Sequence, residues 1–102
     1  MRSITVTLSG ELDLSMRDAV ASALPEPAGF ERLVVDCTAV TSIESVVIAV
    51  FMRYRRKWIA AGGDPLNIVF LVTPSLRRTF EITGMMEWFT IVNGEQSFSK
   101  PS

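Results

Sequence analysis

Glu11 and Asp13 lie two residues apart just after the first apolar stretch of the chain. Paired carboxylates can do general acid–base work, but only with a nucleophile or a second titrating group in reach. The chain contains no histidine, which removes the commonest general base and the commonest zinc ligand together. The two carboxylates therefore read as loop chemistry ahead of a helix. Cys37 is the single cysteine. With no second thiol there is no disulfide framework, no cysteine-rich metal site and no resolving partner, so it reads as a small core thiol. Arg53-Tyr54-Arg55-Arg56-Lys57 packs four cations into five residues, and such a run can meet phosphates. Ten basic against eleven acidic residues leave a net charge of −1 and no second cluster of that density. A solvated helix face accounts for the run, and nucleic acid is not an expected partner. No nucleophile–base pair, cofactor or metal site emerges, so the expectation is a binding protein and not an enzyme.

The elements that would position these groups follow from periodicity. Ile4, Val6 and Leu8 alternate with Thr5, Thr7 and Ser9, which predicts a strand ended by Gly10. Ser15 is the expected N-cap of a helix from Met16 to Leu24, stopped by Pro25 and Pro27. Leu33-Val34-Val35 predicts a short buried strand ending near Asp36. A long helix is expected from Glu44 to Ala61, closed by Gly62-Gly63. Its apolar arc contains Val47, Val50, Phe51, Tyr54 and Trp58, with Ile48, Met52 and Ile59 at its side. Arg55 falls inside that arc. It either snorkels or divides the core stripe from a second stripe of Ile48, Met52 and Ile59 that meets another element. Asn67 to Val72 predicts another buried strand. Thr73 and Pro74 start a third helix that Gly84 ends, and Trp88 to Val92 predicts a last strand.

Strand and helix alternate throughout, which argues for an α/β fold: a mostly parallel sheet of about four strands with three main helices. Phe51, Phe80, Leu33, Val35, Val69 and Leu71 are the expected core. The 102 residues make a single domain, 1–102, with 93–102 a weakly ordered tail. Residues 1–50 carry three bases against seven acids, a charge of −4, and the remainder seven against four, or +3. That asymmetry can orient a partner. The longest apolar run, Val46 to Met52, is far short of the roughly 20 residues of a membrane span. The chain enters its first strand at once, leaving no room for a signal peptide, so a cytoplasmic location without membrane insertion is expected.

Gly10-Glu11-Leu12-Asp13 after a strand resembles the GELD signature of STAS domains, the family of bacterial anti-sigma factor antagonists. Thr73 to Gly84, with its Thr-Pro start and closing Gly, is similar to that family's third-helix segment, and Gly62-Gly63 sits at its turn into the following strand. The resemblance runs from about Ile4 to Val92. The family's switch motif, Asp-Ser-Ser-Gly, falls by gapless counting on Glu44-Ser45-Val46-Val47. Ser45 matches the phosphorylated serine, whereas Glu44, Val46 and Val47 depart from the pattern. Ser45 is accordingly either a phosphorylation site or a plain first-turn helix residue. The resemblance implies a STAS-like fold and a docking surface of Glu11, Asp13, Ser42, Glu44, Ser45, Val46 and Ser75. It implies as partner an anti-sigma factor that is also a serine kinase, an ATPase of histidine-kinase-like fold, with a phosphatase reversing the modification. Other STAS domains imply an alternative: a non-switching subunit of a membrane transport complex or a stress-signalling scaffold. Homo-oligomerisation stays open.

Overall fold

The computed structural model describes residues 2–94. Seven main elements follow one another: β1 (Ser3–Leu12), α1 (Arg17–Ala23), β2 (Arg32–Ile43), α2 (Ser45–Ala60), β3 (Ile68–Val72), α3 (Pro74–Ile82) and β4 (Thr90–Asn93). The four strands form one sheet in the order β1-β2-β3-β4, and every pair is parallel. The expected α/β alternation is therefore present. Residues 95–102, most of the expected tail, lie outside the described residues. Asn93 belongs to β4 instead.

Each crossover steps one strand over in the same direction. With the right-handed connection such units take, all three helices fall on one face of the sheet. The inward residues Leu33, Val35, Cys37, Ile68, Phe70 and Val72 are buried, whereas Val34 and Val69 on the other face are only half-buried. That corrects the expectation for Val69. A continuous aliphatic run reads as a strand covered on both sides, and here α1, α2 and α3 all lie on the other side. Leu71, on the same open face, is buried, with Gly94 seated against its Cβ.

The strands also run further than expected. β1 passes through Gly10, which takes φ +77°, and continues to Leu12. β2 is twelve residues long and not four. It pairs with β3 only from Leu33↔Ile68 to Asp36↔Leu71, but with β1 as far as Leu12↔Ile43. A two-stranded ribbon therefore projects past the end of β3. It stands roughly 13 Å high, four β1 residues at about 3.3 Å each. Two register shifts place extra residues in β2. At the first, the Asp36 carboxylate accepts from both the Thr38 N–H (3.0 Å) and its hydroxyl (2.6 Å), replacing ladder bonds lost at the bulge.

The first helix differs from expectation at its start. Asp13, not Ser15, is the cap: its carboxylate accepts from the Ser15 N–H and hydroxyl, closing a 3-10 turn over Leu14–Met16 before α1. Elsewhere the boundary chemistry holds. The Thr73 hydroxyl accepts from Leu76 N–H ahead of Pro74, and Gly84 takes the left-handed conformation (φ +79°) after α3. Trp88 and Phe89 precede β4 and are not part of it.

The buried face of α2 is Val47, Val50, Phe51, Tyr54 and Trp58. Trp58 donates from Nε1 to the Asp64 carbonyl (2.7 Å), and a side chain at Gly63 would strike its indole. Tyr54 donates its hydroxyl to the Pro25 carbonyl (2.7 Å), pinning the α1–β2 connection to α2. Arg55 is half-buried and engages the segment ahead of β4, while Ile48 and Met52 pack against the core and form no separate stripe. The Arg55 Nε donates to the Trp88 carbonyl (2.9 Å) and its guanidinium stacks 4.9 Å from the Trp88 ring. At the sheet centre, Phe70 meets Phe51, Phe80 and Phe89 edge-on at 4.9, 5.3 and 5.0 Å.

Phe80 is fully buried in that cluster. Phe80→Ala should destabilise the domain by about 3–5 kcal/mol, read as a lowered urea midpoint. Burial, and then the neighbouring Asp36, push the Cys37 thiol up to about 12. A thiol reagent at pH 8 should leave native protein unmodified and label it fully in denaturant.

Candidate protein-docking site

The projecting ribbon and the start of α2 make one continuous surface. Glu11 stands beside Ser42 in the ladder, and the next pair, Leu12 and Ile43, is buried beneath. The Glu44 N–H donates to the Leu12 carbonyl (2.9 Å), extending the ladder by one bond before the chain turns into α2. Glu11, Ser42, Glu44 and Ser45 are all exposed there, with Asp13 half-buried beside them.

Ser45 is the first residue of α2, and its hydroxyl makes no hydrogen bond among the described residues. Glu44 is the N-cap in extended conformation, yet its carboxylate does not cap. Its backbone carbonyl instead accepts from the Val47 and Ile48 N–H groups (3.0 and 3.1 Å). The Ser45 and Val46 N–H groups make no backbone bond among the described residues and stand at the positive end of the helix dipole. A phosphate at Ser45 would have these N–H donors at the same helix start.

Two of the expected docking residues stand differently. Val46 is half-buried and packs against the core, so it is not on the polar side of α2. It lies one turn before buried Val50, at the flank of the apolar arc. Ser75 is exposed in the first turn of α3, beside Arg77, Arg78 and Asn93. It sits at the lower step left where β3 stops and the ribbon continues. A partner touching both serines must span that step.

The surface is acidic, with Glu11, Asp13 and Glu44 in one group, and the nearby Arg17 is engaged by Asp18 at 3.4 Å. The Ser15 hydroxyl holds the Asp13 carboxyl below the ordinary carboxylate range. Its stabilisation is present above the unfolded value and fades as pH falls through the folded one. Among the described residues no three carboxylate or thiol groups converge to hold a metal ion. No helix among them is long and apolar enough to cross a membrane.

Sequence reasoning missed the support of this surface, the second half of β2. Its signal was Thr38, Val40, Thr41 and Ile43, β-branched residues whose alternation the two bulges interrupt.

A family model described as "Mlab, STAS domain" matches residues 2–93, all of the described chain but one residue. No curated protein matches the chain. The matched segment includes the Glu44–Ser45 junction, where the extra methylene of glutamate leaves the helix start uncapped. Glu44→Asp should supply the missing cap and raise stability by about 0.5–1 kcal/mol, seen as a higher urea midpoint with unchanged slope.

Proposed function

The chain belongs to the STAS domain family, and from that premise we propose that it is an anti-sigma factor antagonist, or a close regulatory relative. STAS domains generally act by binding other proteins and not by catalysis. The observation that carries the reading is Ser45: an exposed hydroxyl on the first residue of α2, at the residue that the resemblance matches to the family's switch serine. The docking surface is Glu11, Asp13, Ser42, Glu44 and Ser45, with Ser75 on the lower step and Val46 supporting from below. Its partner is an anti-sigma factor that is also a serine kinase, and a phosphatase reverses the modification. The site of action is the cytoplasm.

Phosphorylation here acts on the complex and not on the fold. The N–H groups of Ser45 and Val46, free of backbone bonds, accommodate the phosphate locally. About two negative charges then appear at the centre of a surface the partner must cover. The alternative, a subunit of a transport complex using a stripe of Ile48, Met52 and Ile59, has less surface to work with. Ile48 and Met52 pack against this chain's own core, and only Ile59 of the three is exposed.

Ser45→Asp should weaken binding to the genomically linked kinase by about tenfold or more with an unchanged circular dichroism spectrum, while Ser45→Ala should bind as the wild type does. Incubation with that kinase and ATP should add the mass of one phosphate to wild type and none to Ser45→Ala. Tight complex formation without a mass change would make the protein a constitutive antagonist. Absence of both would reject the reading.

A further inference from the structure

β1 is an edge strand of the sheet, and its outer row of N–H and C=O groups faces no other strand among the described residues. Proteins ordinarily guard such an edge with lysine, proline, inward charge or a short strand. This one runs ten residues, and from Ser3 to Gly10 it carries no charged side chain and no proline. Ser3, Ile4, Thr5, Thr7 and Ser9 are all exposed. The run also has a symmetry of its own. Ser3-Ile4-Thr5-Val6-Thr7-Leu8-Ser9 reads alike in both directions about Val6, apart from the exchange of isoleucine for leucine.

From this we infer that β1 is the contact surface for a second copy of the same chain, joined as antiparallel edge strands across a twofold axis through Val6. That axis sets Ser3 against Ser9, Ile4 against Leu8, Thr5 against Thr7 and Val6 against itself. Hydroxyl meets hydroxyl on the face opposite α1, α2 and α3, and aliphatic meets aliphatic on the side of those helices, the two favourable cross-strand combinations. No like charges are opposed. Ile4, which is 37% exposed, gains cover from the other copy's Leu8. A heterologous peptide would need no palindrome, whereas an isologous contact requires self-complementarity of this kind. The contact ends before Glu11, so each copy keeps its docking surface. Seven residues a side is a small interface, which implies a dissociation constant in the micromolar range or weaker.

The experiment is sedimentation equilibrium of the full chain from about 10 μM to about 1 mM, with designed variants beside the wild type. Wild type should pass from monomer to dimer. The double variant T5K/T7K sets like charges opposite one another and should stay monomeric, whereas T5K/T7E sets opposite charges across the twofold and should dimerise again. Mild oxidation of Val6→Cys should give a covalent dimer, because directly opposed Cα atoms lie about 4.5–5.5 Å apart, within disulfide reach. Thr5→Cys, about 8 Å from its own copy in this register, should not cross-link. Cys37 does not interfere, being buried. A monomer at every concentration, a dimer indifferent to T5K/T7K, or equal cross-linking of the two cysteine variants would overturn the inference. So would β1 amides protected from exchange only when a different protein is bound.

Discussion

The ring of Phe70 is where the separate pieces of this domain are referred to one another. It projects from the short interior strand β3 and is touched edge-on by Phe51 of α2, Phe80 of α3 and Phe89 ahead of β4. Edge-to-face contacts place the electropositive rim of one ring against the electronegative face of another, so they constrain angle as well as distance. Phe51 lies six residues after Ser45 on one rigid helix. The position of the exposed serine is therefore tied, through α2, to an aromatic cluster at the centre of the sheet. Loss of the Phe51 or Phe80 ring would loosen a helix and not merely leave a void.

Most of this frame is legible in the residue types alone. The Thr73-Pro74 start, the Gly84 stop and the 3.6-residue arc of Val47, Val50, Phe51, Tyr54 and Trp58 all report backbone and packing requirements that act locally, so residue type reveals them. The features that escape such a reading depend on more distant partners. Val34 and Val69 look like doubly buried strand residues, and only the common direction of the three crossovers puts α1, α2 and α3 all on the opposite face. The continuation of β2 beyond Asp36 is hidden because its bulges break the alternation by which strands are recognised. Asp13 and Ser15 are both good caps, and the choice between them turns on a 3-10 turn too short to have a period. In the candidate docking surface, Glu11, Ser42, Glu44 and Ser45 are exposed, as residues expected to meet a partner must be. Val46, expected on the same surface, is half-buried at the flank of the helix, because a flank and an exposed face differ by a single 100° step.

The end of the ribbon divides its tasks by depth. Leu12, Ile43 and Val47 are buried, and the Glu44 N–H bond to Leu12 fixes the turn, so the geometry is held from below by apolar contact and backbone bonding. Among the described residues the side chains of Glu11, Ser42, Glu44 and Ser45 above make no hydrogen bond or ion pair, and only Asp13 is engaged. A surface built this way can change charge, whether by substitution or by modification, with little effect on the fold that carries it.

Strand order equal to chain order has a further effect on how the domain assembles. Every strand lies beside the one made immediately before it, so no pairing waits for a distant segment and the loops to be closed are all of similar, modest length. The longest ladder, β1 with β2, is also the first complete one, and it is finished by residue 43. As the chain emerges from the ribosome, each later helix and strand can be laid against a template already in place. The short, half-buried β4 is added last. The same arrangement that puts α1, α2 and α3 on one sheet face thus lets the protein grow from its N-terminus in one direction, without rearrangement of what has already formed.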